Sequence, residues 1–193
     1  MDVHDKQIIH SSDESNWRTP PELFKKLDEE ADFGIDLAAD RANALCGLYL
    51  GPEGRVENAL ESEWSVYKTC GFLNPPYSRK KYRETGDLAM LVENWARKAF
   101  NESERGFTTY GLFPFAPQTE WFRLYVMGHA QDGNGWRGHA ATEVRRFPYR
   151  LSFLRPDGSP AQNAGVNSCV IIWKPNPGYV GPWMPVERYW SFK

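Results

Sequence analysis

The stretch FLNPPYSRKKYR, residues 72–83, holds the side chains whose types and spacing suit chemistry best. Pro75 and Pro76 fix φ and lack an N–H, so the turn is stiff and its carbonyl oxygens are not committed to a strand ladder. The side-chain oxygen of Asn74 and a nearby backbone carbonyl then form a pair of acceptors that matches an –NH2 group held in a plane. Tyr77 adds a flat face on which a ring can stack. This set suits methyl transfer to an exocyclic or amide nitrogen. Such a nitrogen is a poor nucleophile because its lone pair is delocalised. Two acceptors on its hydrogens stabilise the positive charge that develops during attack. A target base inside a duplex must first be flipped out, and an aromatic lid favours that state. Read as structure alone, the same tetrapeptide is a tight bend capped by a tyrosine.

A turn of this kind needs a strand to hold it, and VYKTCGFL (66–73) reads as one. TPPELFKKLDEEA predicts a helix, with Thr19 as its cap, Pro20 in the first helical position and Glu22 completing a Thr-x-x-Glu capping box. FGIDLAA (33–39) reads as a buried strand leading into a tight loop, and GLYL (47–50) as another short strand. DLAMLVENWARKAF and TEWFRLYVM read as helices, with GFTTYGLFPF (106–115) as the strand between them. Beyond these, TEVRRF and RLSFL read as two short strands joined at Pro148-Tyr149, and VNSCVIIW as the last strand, with an irregular tail after Lys174. Strands alternate with helices through residue 126, which predicts an α/β fold with a mainly parallel sheet. Ligands of such sheets sit at the carboxyl ends of strands, which singles out two tips, Asp36 and Asn74 to Tyr77.

The bulk composition sets few limits. The chain has 193 residues, enough for one domain with a real core, with 41% hydrophobic and 25% charged residues and a formal net charge of −2. Any nucleic-acid binding must therefore rest on local basic patches. Three cysteines, Cys46, Cys70 and Cys169, show no metal-ligand spacing and fit a reducing compartment. No signal peptide or membrane span is expected, which points to the cytoplasm.

Taken in order, NWRTPPELFKKL, FGIDLAADRANALC, Trp64, FLNPPYS, LFPFAPQTEWF, RRFPYRLSFL and NSCVIIW cover roughly residues 16 to 175. In this combination the chain resembles the phage-type DNA N6-adenine methyltransferases, the Dam-like family. The Asn-Pro-Pro-Tyr motif alone is shared with other amino-methylating enzymes; its combination with Trp-x-Thr-Pro and Asp-x-Ala-Ala is more specific. The resemblance implies a Rossmann-like fold with helices on both faces of the sheet and S-adenosylmethionine as cofactor. It implies that Asn74 and the Pro75 carbonyl bind the target amino group, with Tyr77 against a flipped adenine. Trp17, Thr19 and Pro20 match the family's N-terminal cofactor motif, and Asp36, Ala38 and Ala39 its first-strand cofactor loop. Two departures stand out. The first-strand loop lacks a Gly-x-Gly pattern, and Asn58-Ala59-Leu60 replaces an Asp-x-Leu motif, so that either Asn58 rather than an acid meets the cofactor's adenine or this stretch is a surface loop. Glu53 and Glu57 are candidates for the ribose.

The expected organisation is one methyltransferase domain, residues 1–193, with residues 128–165 as a candidate target-recognition insertion. DNA is the expected partner. Arg79, Lys80, Lys81 and Arg83 beside the turn, and Arg145, Arg146 and Arg150 around the later strands, are its candidate phosphate contacts. A solvated charged face is the bland alternative for both groups. His129 and His139 read as loop residues, and Glu29 and Glu30 as solvated surface. Modification or protection of phage DNA in a host cytoplasm is what the resemblance suggests. Two rival functions stay open: methylation of another nitrogen, as in RNA guanine or protein glutamine, and a non-catalytic DNA-binding module of the same fold.

Overall fold

The computed structural model describes residues 17–130, 135, 139–161, 167–175 and 185–192. Parts of the 128–165 insertion and of the tail after Lys174 lie outside the described residues. The element order is α1 (Pro21–Ala31), β1 (Phe33–Asp36), β2 (Cys70–Leu73), α2 (Arg79–Thr85), α3 (Val92–Glu104), β3 (Thr108–Pro114), α4 (Glu120–Tyr125), β4 (Glu143–Arg146), β5 (Ser168–Trp173) and β6 (Val186–Tyr189). Short 3-10 turns at Ser65–Tyr67 and Leu88–Met90 precede β2 and α3.

The strands form one six-stranded sheet in the order β1-β2-β3-β5-β4-β6. β1, β2 and β3 pair in parallel, β4 pairs in parallel with β6, and β5 runs antiparallel to both β3 and β4. Five strands thus share one direction. The carboxyl ends of β1 to β4 and β6 lie along one edge of the sheet, which is the edge that carries Asp36 and Asn74.

Alternation along the strands splits the core in two. On one face Phe33, Phe72, Tyr110, Val170 and Ile172 cluster with Leu23 and Leu27 of α1. On the other, Ile35, Leu73, Phe113, Ile171 and Trp173 cluster with Trp95, Ala99 and Phe100 of α3 and with Trp121 and Phe122 of α4. Helices therefore cover both faces. Trp64 sits wholly in the second core. Its backbone N–H donates to the buried carboxylate of Glu102 at 3.0 Å and its indole to the Ala59 carbonyl at 2.9 Å.

Several sequence expectations change. Thr19 does not cap α1: Pro20 occupies the cap position and no side-chain cap bond forms, so the capping box is absent. GLYL makes only a single bridge, Asp36 with Tyr49, rather than a strand. RLSFL does not pair with β4. Instead Leu154 bridges Arg18, 136 positions earlier in the chain, with Arg18 N donating to Leu154 O at 2.8 Å and Leu154 N to Arg18 O at 3.0 Å. The stretch after Ser78, read only as a charge run, is helix α2, and part of the tail is β6. Among the described residues no helix is long and apolar enough to cross a membrane.

Candidate active site

At the carboxyl edge a cleft of ≈ 250 Å³ is lined by Trp17, Arg18, Thr19, Pro21, Asp36, Ala38, Ala42, Asn43, Ala44, Leu45, Phe72, Asn74, Leu154 and Gly158. Five of the expected site residues meet here: Trp17, Thr19, Asp36, Ala38 and Asn74. Trp17 is held by the Phe153 ring, 5.6 Å away between centroids, and its neighbour Arg18 by the bridge to Leu154. The segment 17–19 thus forms one wall as a strap fastened from below.

Asp36 ends β1 and is buried. Its Oδ1 accepts from Ala38 N at 3.3 Å and its Oδ2 from Leu45 N at 3.1 Å. Among the described residues no cation pairs with it. Burial therefore dominates over the two N–H bonds and pushes its pKa up from 3.8 to about 6. The sign of the consequence follows. The unfolded chain ionises this carboxyl first, so the stability it confers is full below pH 3.8 and is lost as pH rises through about 6. In urea titrations, wild-type stability should fall across that window by on the order of 3 kcal/mol more than that of Asp36→Asn. Equal slopes would mean that the carboxyl is solvated.

Asn74 follows β2 directly. Its Nδ2 donates to the Thr19 hydroxyl at 3.0 Å and, more weakly, to the Trp17 carbonyl at 3.4 Å. A carbonyl oxygen can only accept, so this arrangement fixes the sense of the amide. Its Oδ1 has no partner among the described residues and remains an acceptor at the cleft. Pro75 is buried and Pro76 half-buried. Tyr77 is half-buried and does not line the cleft. Burial, and then the neighbouring Cys169 thiol, raise the pKa of its phenol.

Three expected cofactor residues are not brought to this cleft. Pro20 is the cap of α1 and Ala39 is buried beneath the loop, its N–H donating to Leu50 O at 3.0 Å. Asn58 is exposed, closes a local turn by accepting from Leu60 N at 3.2 Å, and lines a separate cleft with Asp87, Leu88 and Arg97. Glu53 and Glu57 are absent from the lining too. In the other direction, sequence reading missed Arg18, the 42–45 loop, Leu154 and Gly158. The loop lies inside the quoted FGIDLAADRANALC stretch, but nothing local marks Leu154, which arrives from far along the chain.

The two basic groups also separate. Ser78 caps α2, its Oγ accepting from Lys81 N at 3.3 Å, so Arg79, Lys80 and Lys81 occupy the helix's first turn and Arg83 its last. Arg79 is 71% exposed and reaches Glu93 at 3.5 Å. Arg145, by contrast, is 1% exposed. It forms a two-pronged pair with Glu30 at 2.7 and 2.6 Å and bonds Glu143 at 2.8 and 3.2 Å. Its expected role as a phosphate contact is therefore corrected, as is the reading of Glu30 as idle surface: the pattern of β4 turns Arg145 inward beneath α1. Arg146 is stacked over the Phe115 and Tyr189 rings, at 4.2 and 5.1 Å, and paired with Glu187 at 2.8 Å. Arg150 is exposed. His139 is buried, 2.6 Å from the Ser103 hydroxyl, and faces the core rather than the cleft.

A family model described as DNA N-6-adenine-methyltransferase (Dam) matches residues 6–182. No curated protein and no solved structure matches the chain.

Proposed function

Because the chain belongs to the DNA N-6-adenine-methyltransferase (Dam) family, we propose that it transfers a methyl group from S-adenosylmethionine to the exocyclic amino nitrogen of adenine in DNA. The observation that carries this reading is the Asn74 amide, held by Thr19 and Trp17 so that its oxygen is left to accept, at the rim of a cleft that contains a buried carboxylate with no cation beside it among the described residues. We also read the sheet, with helices on both faces and one reversed strand between β3 and β4, as a Rossmann-like methyltransferase fold.

The cleft suits the cofactor on chemical grounds. S-adenosylmethionine carries an ammonium and a sulfonium, and either cation would offset the charge of Asp36, which no cation among the described residues offsets. When bound, the cofactor supplies an electrophilic methyl on a positively charged sulfur. Trp17, Asp36 and Ala38 would hold it, with the 42–45 loop closing over the Asp36 carboxylate through Leu45 N. Asn74 Oδ1 and the Pro75 carbonyl accept the two hydrogens of the target amine. Those oxygens would stabilise the positive charge that grows on the amine as it takes up the methyl group. One amine proton then leaves to solvent. Positioning and charge stabilisation supply the catalysis, and no covalent protein intermediate is needed.

The α2 cations support DNA as the partner. Arg79, Lys80 and Lys81 sit in the first turn of a helix, where the dipole disfavours positive charge. A backbone phosphate there would meet both the cations and the helix end. With Arg83 and the exposed Arg150, they are the proposed contacts that fix the strand while a base is extruded.

The decisive assay incubates plain DNA with methyl-labelled S-adenosylmethionine and analyses the nucleosides. Label should appear in N6-methyldeoxyadenosine. Label confined to RNA or protein substrates run in parallel would move the target to another nitrogen. Bound cofactor with no transfer to any of the three would make the chain a binding module.

A further inference from the structure

We propose that Thr19 is a positioning residue, whose hydroxyl holds the Asn74 amide in place while the acceptor-only Trp17 carbonyl sets which end faces the target nitrogen. The inference rests on the reading of Asn74 given above. An asparagine amide can turn by half a rotation at little intrinsic cost, because its terminal torsion is broad and roughly two-fold. The two orientations have opposite chemistry. One offers an acceptor to the target amine; the other offers –NH2, a donor facing a donor.

Two oxygens hold the productive orientation, and they are unequal. The Trp17 carbonyl fixes the sense of the amide but lies at 3.4 Å, near the limit of a useful bond, whereas the Thr19 hydroxyl lies at 3.0 Å. Thr19 is also spared for this task. It is buried, α1 has no side-chain cap bond, and the bond from Asn74 is the one hydrogen bond its hydroxyl makes among the described residues. A threonine three residues ahead of a helical glutamate would ordinarily turn to the helix. Here it turns to an amide 55 positions away. The strap that carries it is anchored on the other side by both Arg18–Leu154 backbone bonds, so the oxygen cannot drift with the helix end.

The test compares Thr19→Val and Thr19→Ser under saturating cofactor and DNA, with cofactor affinity read by calorimetry. Thr19→Val should lower kcat by ~10-fold, the loss expected for one oriented hydrogen bond. Cofactor Kd should stay within about threefold, since the residue acts on the amide. Thr19→Ser, which keeps the hydroxyl, should restore kcat to within about twofold. In an Asn74→Ala background Thr19→Val should cost nothing further, because its effect passes through the missing amide. If Thr19→Val does not fold, Thr19→Ala removes the same hydroxyl without a new methyl and should show the same split.

The inference is overturned if the valine or alanine variant keeps wild-type kcat, if the whole effect lies in cofactor Kd, or if serine fails to rescue. These outcomes differ from failure of the underlying reading. If Asn74→Ala itself methylates normally, the site is misread; if Asn74→Ala is dead and Thr19→Val is not slowed, only the role of Thr19 falls.

Discussion

Asn74→Ala should slow methyl transfer by on the order of 10²–10³, the usual cost of removing one preorganised group that meets charge developing in a transition state. Cofactor affinity should be nearly unchanged. The reason lies in the geometry. The amide's nitrogen is committed to Thr19 and Trp17, and only its oxygen is left for a substrate. The alanine variant leaves Thr19 and the Trp17 carbonyl without a donor but disturbs no ladder bond, because residues 74–78 lie outside the strands and helices. Pro75 and Pro76 still fix the chain, so the Pro75 carbonyl remains as the second acceptor. Single-turnover rates at saturating cofactor, with calorimetry on the same preparation, separate the two effects. A variant within about threefold of wild type would remove Asn74 from the chemistry.

The second large effect should be on stability. Arg145→Ala should destabilise the fold by about 3 kcal/mol, the low end of what breaking a buried ion pair costs. For a chain of this size that lowers Tm by roughly 6–12 °C. Arg145 is almost fully enclosed and bonds two carboxylates at once, Glu30 from α1 and Glu143 from its own strand. Its removal leaves Glu143, whose side chain is 16% exposed, paired among the described residues with Arg188 alone, while Glu30 at 41% can partly rehydrate, which is why the low end is expected. Arg145 also holds the Glu30 carboxyl below its ordinary pKa, so this part of the stability is present above that pKa and fades on acidification. Thermal unfolding measures the loss. In the folded fraction, the salt dependence of DNA binding should not change, since a buried guanidinium releases no phosphate counterions. An unchanged Tm with a shallower salt slope would return Arg145 to the DNA.

These two residues mark the limits of what the sequence discloses. Asn74 was legible because its neighbours are unusual locally: a buried strand, two prolines and a tyrosine admit few conformations. β1, β2, β3 and β5 were legible for a similar reason, each being an apolar run ended by a turn. Arg145 was not legible, because its partner lies 115 positions away and a charged residue in a short strand looks the same facing inward or outward. Thr19 was misread because its local pattern fits a capping box equally well, and only the tertiary position of Asn74 draws the hydroxyl away. α2 was missed because RKKYRET has no apolar face to give it a period, although Ser78 was a usable cap signal. β6 was missed because all four of its residues are exposed, so it lacks the alternation that identifies a strand. Asn58 was placed by analogy with a motif it only partly matches, and the fold leaves it in another cleft.

The place of β5 in the sheet has a further consequence, for the order in which the molecule can assemble. The strand lies between β3 and β4, and all six of its residues are buried. Among the described strands it alone joins the β1-β2-β3 half to the β4-β6 half through the sheet's ladder bonds. On a ribosome, β3 emerges more than fifty residues before its neighbour Ser168–Trp173. Until then its outer edge is an unpaired, apolar strand, the kind of surface that recruits other chains. The hydrophobic halves can collapse early, but the sheet closes only when β5 inserts between them. Premature termination upstream of residue 168 would therefore yield an aggregation-prone fragment rather than a smaller, stable enzyme.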